Sequence, residues 1–339
     1  APAFFCYLLA GCVRPAARGG GAAAWRLRRG QQGGLGRVRW ACAAAARVAR
    51  LGAAVVGSFA LCWLPFLGSA DATLAVLRRV FPVGRHLYED KVANVWCTLA
   101  LLPPLKLKNR LAVDQLLLLT TGCTLASLVP PCALLLLAPS RRAFLLCAVA
   151  CGLGFFLFSF QVHEKHVLLP LLPAALLTPS APRELGWFVT LCTFSLFPLL
   201  RRDGQALPYC VAQLLFGLLV RLYSDHVLPP AAATEAARWT GWRLPALSAL
   251  GMLAIHLAEV ALPPPARYPD LHSVAFAAYS CAHLAFFYLA AVYAQWRLAR
   301  TDPYHTPFDP PDDEAAPFLV PVLHPARTGT GSAARRKAE

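Results

Sequence analysis

Two short stretches of this sequence hold side chains that could do chemistry. The first is Val162-His163-Glu164-Lys165-His166, set within FFLFSFQVHEKHVLLPLLPAALL from Phe155 to Leu177. Two imidazoles, a carboxylate and an ammonium lie there between aliphatic and aromatic residues. A charged side chain at bilayer depth costs about 2.5–3.5 kcal/mol on insertion scales, so such groups face a cavity or a partner. Lys165 and the histidines could hold an anion, and phosphate suits them, since ammonium and imidazolium both donate to its oxygens. The cluster could equally satisfy itself. Glu164 would then pair with Lys165 or a histidine, and the group would reach the interface from a helix end. The residue types alone leave both readings open.

The second stretch is RRVFPVGRHLYEDKVANVWC, Arg78 to Cys97. Arg78, Arg79, Arg85, Glu89, Asp90 and Lys91 crowd a polar connection that leads into an apolar segment. A solvated loop touching lipid headgroups explains them as well as a site does. Carboxylates and cations close to an anion site would serve proton transfer and leaving-group stabilisation, which need both. Fainter signals are His256 and Glu259, one helical turn apart, which read as a buried structural pair. His283 reads as a packed helix residue.

The elements that must position these groups are apolar. Apolar residues are 58% of the 339 and charged ones 14%, against roughly 25% charged in soluble domains. Ten apolar runs recur, at 1–13, 51–67, 92–105, 111–137, 143–160, 167–178, 186–200, 206–223, 243–262 and 272–296. A helix needs about 20 residues to cross a bilayer, so several qualify and several are short. The fold class is all-α: a polytopic transmembrane helical bundle. Residues 1–301 form the multi-spanning region. Residues 302–339, proline-rich and acidic from Thr301 onward, read as a disordered tail. Residues 14–50, rich in Gly, Ala and Arg, read as a flexible loop, and 69–91 as the next polar connection.

Charge placement sets the expected topology. Nine arginines and no carboxylate lie between Arg14 and Arg50, as the positive-inside bias favours for a cytoplasmic loop. No aromatic-interleaved basic face or known module points to nucleic acid, so membrane lipids are the expected partner of this charge. Counting crossings from both ends requires one run not to span. The expected one is 92–105, which ends in Pro103-Pro104, and this places Arg141 and Arg142 in the cytoplasm. Residues 69–91 and the His163–His166 cluster then share the lumenal side, with 167–178 taken to cross. The twelve cysteines fall mostly inside apolar runs without CxxC pairs, and read as small buried hydrophobes with no metal site.

FSFQVHEK and FPVGRHLYEDKVANVWC resemble signatures of the dolichyl-phosphate-glucose-dependent α-1,3-glucosyltransferases of the endoplasmic reticulum. APAFFCYLL at the start and ARYPDLHSVAFAAYSCAH at 266–283 are similar to further segments of that family, in the same order, from Ala1 to about Arg300. Phe160-Gln161 before Val162-His163-Glu164-Lys165 is closer to the enzyme adding the first glucose than to the second-glucose enzyme, which carries a tryptophan–histidine pair there. The resemblance implies a GT-C-type membrane fold in the endoplasmic reticulum with a lumenal active site. It implies transfer of glucose, with inversion, from dolichyl-phosphate-glucose to the lipid-linked nine-mannose oligosaccharide for N-linked glycosylation. A polyprenyl phosphate leaves with less charge than a nucleoside diphosphate, so no metal and no other cofactor is expected. Side-chain cations must then stabilise the leaving phosphate. By this resemblance His163 and Lys165 contact the donor phosphate and Glu164 orients them. Arg85, Glu89, Asp90 and Lys91 lie near the reacting sugar.

Two departures stand out. His166 replaces the small residue usual after His-Glu-Lys. The family's expected base, an aspartate in the first lumenal loop, would lie upstream of Ala1. The apolar start, and Met252 as the only methionine, likewise lead us to expect the C-terminal part of a longer enzyme. Two rivals remain from the sequence. A transporter would use the His/Glu/Lys group as a proton relay, although no internal repeat is visible. A non-catalytic membrane subunit would only bind dolichyl phosphates.

Overall fold

The computed structural model describes residues 1–13, 34–80, 92–100, 107, 110–178, 181–227 and 235–301, and among them every regular element is helical. The α-helices are α1 (Pro2–Val13), α2 (Gly34–Trp63), α3 (Ala70–Val80), α4 (Val95–Leu99), α5 (Val113–Leu137) and α6 (Arg141–Phe158). They continue as α7 (Leu171–Ala175), α8 (Pro182–Ser195), α9 (Phe197–Arg202), α10 (Ala206–Val227), α11 (Glu235–Ala261) and α12 (Leu271–Thr301).

Six of the ten apolar runs become helices long and apolar enough to cross a membrane: Val38–Phe66, Val113–Leu137, Arg141–Phe158, Ala206–His226, Arg243–Ala261 and Leu271–Arg300. Four do not. Run 1–13 is the 12-residue α1. Of 92–105 the structure describes 92–100, whose only helix is the five-residue α4, in line with the expectation that it does not cross. Run 167–178 corrects the expected span. It is a 3-10 turn over Glu164–Leu168 and the five-residue α7, with Pro170 between them as the N-cap of α7 and Pro173 within its first turn. Run 186–200 divides at Leu196 into α8 and α9.

Two connections are helical where loops were expected. Residues 34–50 open α2, because the Ala- and Arg-rich WACAAAARVAR is strongly helix-forming despite its flanking glycines. Arg78 and Arg79 end α3, whose first turn holds Asp71, so its charges complement the helix dipole at both ends. The tail at 302–339 lies outside the described residues.

Helix α6 is the centre of one half of the bundle. Ser140 caps it by accepting the Ala143 N–H at 3.0 Å. Its Leu146, Ala150, Leu153, Phe156 and Leu157 are all buried. Glycines let two neighbours come close: a Cβ on Gly154 would stand 2.6 Å from Ser127 Oγ, and one on Gly152 3.1 Å from Pro170. Small residues serve this purpose generally in membrane helix packing.

Helix α5 passes through Pro130-Pro131 without ending. Pro131 has no N–H for the Ser127 carbonyl, which would otherwise accept it. Tyr288 on α12 supplies the missing donor, its hydroxyl lying 2.6 Å from Ser127 O. Two turns on, Gln295 Nε2 donates to Pro131 O at 2.9 Å. Helix α12 is thus a spine, about 46 Å long at its 31 residues. Its C-terminal half closes on α5 and α6, while Phe276 and Tyr279 of its N-terminal half and Phe287 just past its middle pack against Phe188 and Phe194 of α8. Helix α2 leaves Val56, Phe59 and Leu61 exposed, a surface that lipid satisfies.

Candidate functional site

The His163–His166 cluster follows α6 as a tight 3-10 turn that its own imidazoles build. His163 is the N-cap, and its backbone N–H donates to His166 Nδ1 at 3.1 Å. His163 Nδ1 lies 3.0 Å from Glu164 Oε2 and 3.5 Å from the Lys165 amide. One nitrogen cannot donate to the carboxylate and accept from an amide together. The contact to the carboxylate is the shorter of the two. At His166 the Nδ1 accepts, so the neutral ring carries its proton on Nε2. Burial, then the neighbouring His163, holds the His166 pKa below the usual value.

Glu164 is largely buried, its side chain 16% exposed, and the carboxylate is engaged by His163. Lys165 is exposed, and among the described residues its ammonium has no carboxylate partner. The self-neutralised Glu164–Lys165 pair is therefore not what forms. The turn presents an ammonium, a neutral imidazole N–H on His166, and a His–Glu pair that steadies the backbone beneath them. Such a set can hold a phosphate.

What pins this turn is the second motif. Val167 is fully buried in the same core cluster as Val92 and Ala93, and Val162 packs against that cluster. Trp96 is buried, and its Nε1–H donates to Phe158 O at 2.9 Å, filling a carbonyl that the end of α6 leaves open. Asn94, 2% exposed, caps α4 by accepting the Cys97 N–H at 2.8 Å. The segment after Glu89-Asp90-Lys91 is thus fastened to the segment before His163. Arg85, Glu89, Asp90 and Lys91 themselves lie outside the described residues, although Glu89 to Lys91 are within three peptide units of Val92.

His256 and Glu259 do not pair with each other. His256 Nε2 is 3.1 Å from Tyr209 Oη, inside a cage of Phe194, Phe197 and Phe276. Glu259 takes an ion pair with Arg201. His283 bonds the Tyr279 carbonyl one turn back at 2.9 Å and stacks on that ring, as a packed residue should. Reading the sequence missed Asn94 and Trp96 as the anchors of the site. An Asn immediately before a short apolar turn was the available signal.

A family model described as the ALG6, ALG8 glycosyltransferase family matches residues 1–290 of the chain. The chain belongs to that family. Its all-helical, multi-pass architecture is the GT-C type of the ALG6, ALG8 glycosyltransferases. Among similar proteins is the dolichyl pyrophosphate Man9GlcNAc2 alpha-1,3-glucosyltransferase of Gallus gallus, 37% identical over 302 residues, which cover 84% of this chain and 54% of the chicken protein. The probable enzyme of the same name in Drosophila melanogaster is 38% identical over 244 residues, 72% of this chain and 50% of the fly protein. That of Rattus norvegicus is 36% identical over 301 residues, 84% of this chain and 54% of the rat protein. The chain spans about half the length of the curated relatives it matches.

Proposed function

We propose that this chain supplies the donor-phosphate half of an α-1,3-glucosyltransferase that moves glucose from dolichyl-phosphate-glucose to the lipid-linked nine-mannose oligosaccharide. The observation that carries the reading is the Lys165 ammonium, which has no carboxylate partner among the described residues while Glu164 is held by His163. As the glucosyl–oxygen bond breaks, negative charge grows on the departing dolichyl phosphate. Lys165 and the His166 Nε2–H are the donors that meet it, and Glu164 keeps the turn in register. The monophosphate leaving group asks for no metal. Arg85, Glu89, Asp90 and Lys91 are assigned to the sugar side of the same site. No described side chain is given the role of general base. The printed names of the relatives support the nine-mannose acceptor and the α-1,3 linkage.

The placement is lumenal in the endoplasmic reticulum. If only the six long helices cross, Arg39, Arg47, Arg50, Arg141, Arg142, Arg243 and Arg300 share one side, and His163–His166 faces the other. Arg78, Arg79, Arg110, Arg183, Arg201, Arg202 and Arg267 fall on the His163–His166 side, so the cytoplasmic assignment rests on the carboxylate-free run of nine arginines from Arg14 to Arg50. Removing both 167–178 and 186–200 from the crossings keeps the C-terminal end of α12 on the cytoplasmic side. Family membership favours transfer over the transporter reading.

Lys165→Ala in the whole protein tests the proposal. Loss of one such donor lowers transfer by about 10²–10³-fold, as for other oxyanion donors, with expression and membrane insertion unchanged. Wild-type transfer by Lys165→Ala microsomes would refute the phosphate role.

A further inference from the structure

We propose that Cys132, Cys147 and Cys151, with Cys6 beside them, form a binding site for a soft thiophilic metal ion, Zn2+ or Cu+, that clamps α1, α5 and α6 together. The sequence scatters these cysteines over 146 positions, from 6 to 151, and only the packing joins them. Cys147 and Cys151 are one turn apart on α6 and share a face. Cys132 reaches them from α5, past Pro130-Pro131, and the Cys6 thiol of α1 lies against Cys132. Cys147 Sγ is 3.8 Å from Cys151 Sγ, and Cys132 Sγ is 3.9 Å from Cys151 Sγ. All three sulfurs lie within 4.8 Å of one another.

Those separations suit a metal. Sulfurs bound at about 2.3 Å to one ion stand about 3.8 Å apart in a tetrahedron and about 4.0 Å apart in a trigonal plane. Two of the three edges already have that length, so closing on an ion needs only small rotamer adjustments of Cys132 and Cys147. The lining is otherwise apolar: Ala3, Leu128, Leu135 and Ala143 belong to the same buried cluster. Sulfur donors in apolar surroundings select soft d10 ions over Mg2+ or Ca2+, which want oxygen. Such surroundings also oppose net charge. Two thiols that release their protons to solvent and bind Zn2+ as thiolates, or one that does so with Cu+, leave a neutral complex, with the remaining thiols beside it.

The role is structural. Cys151 precedes Phe158, which carries the bond from Trp96, by seven residues, or about 10 Å along α6. An ion there would hold the middle of the helix whose C-terminal end presents the His163–His166 turn, without touching the transferred sugar. Nothing in this assignment depends on the transferase reading.

The test uses the whole protein, purified under reducing, metal-free conditions, with the exposed Cys42, Cys62 and Cys210 changed to Ser. Zn2+ alone and Cu+ alone are titrated in separate arms against chelators. Co2+ serves as the spectroscopic probe for thiolate charge-transfer absorption. We expect one ion per chain in at least one arm, and Co2+ thiolate bands that disappear when that ion is added. The arm that binds identifies the metal. Outer-shell changes alone alter metal affinity about 10–100-fold, so Cys147→Ser with Cys151→Ser should exceed that loss. If the double variant does not fold, Cys132→Ala and the Co2+ spectrum of the parent still decide. Absence of stoichiometric binding in both arms overturns the proposal. So does binding that survives the double variant, or a disulfide between two of the three sulfurs in the isolated protein.

Discussion

Changing Tyr288 to Phe removes one hydroxyl and keeps the ring, including its edge contact with Phe158. That hydroxyl donates at 2.6 Å to Ser127 O, a carbonyl that Pro131 cannot serve. Side-chain hydrogen bonds between membrane helices average about 0.6 kcal/mol and reach about 1.7, because the unpacked helices find other partners. Leaving a buried acceptor unsatisfied costs about 1–3 kcal/mol. Ser127 is 8% exposed, and its carbonyl lacks an N–H partner even in an isolated α5. The cost should therefore sit where the two ranges overlap, at about 1–1.7 kcal/mol. Thermal or denaturant unfolding of the detergent-solubilised protein measures it. The decisive comparison is made in a Pro131→Ala background, where residue 131 regains its N–H and serves Ser127 from within the helix. Tyr288→Phe should then cost less than about 0.5 kcal/mol, a coupling of about 1 kcal/mol in the double-mutant cycle. Equal costs in both backgrounds would show that the hydroxyl does not act by repairing the proline gap.

Other outcomes follow from the same packing. Gly154→Ala, whose Cβ would meet Ser127 Oγ at 2.6 Å, should destabilise by about 1–3 kcal/mol, whereas Gly122→Ala, with nothing within 4 Å, should stabilise by about 0.5–1 kcal/mol. Equal effects at the two glycines would deny the close α5–α6 approach. Trp96→Phe removes the donor to Phe158 O; we expect about 1 kcal/mol of lost stability and reduced glucosyl transfer, and transfer at the wild-type level would uncouple the two motifs. His166 has a depressed pKa in the folded state, so the unfolded chain binds more protons in the window from that depressed value up to about 6.5. The stability from neutral His166 is complete above that window and lost as pH falls through it. His166→Gln should remove this part of the acid dependence, and an unaltered pH–stability profile would refute it.

The membrane class and the place of the candidate turn were legible in the residues themselves. Long apolar runs have no stable alternative to helices in lipid, and four ionisable groups among them demand a partner or a cavity. The clustering of arginines likewise gave an expected orientation in the membrane. Which runs cross was not legible. Apolar composition is the same for a span and for a packed half-helix, so 167–178, despite its two prolines, and 186–200 read as spans, and only the structure shows the short elements of the first and the break at Leu196 in the second. The helix over 34–50 was hidden by the glycines on its flank, although its alanines and arginines favour it. At the site, adjacency left Glu164 to pair either with Lys165 or with a histidine. The 3-10 turn gives Glu164 to His163, and Lys165 has no carboxylate partner among the described residues, because partner choice depends on side-chain direction, not on order along the chain. The same holds for Cys6, Cys132, Cys147 and Cys151. Each is a small apolar residue in its own helix, and only the crossing of α1, α5 and α6 makes them neighbours.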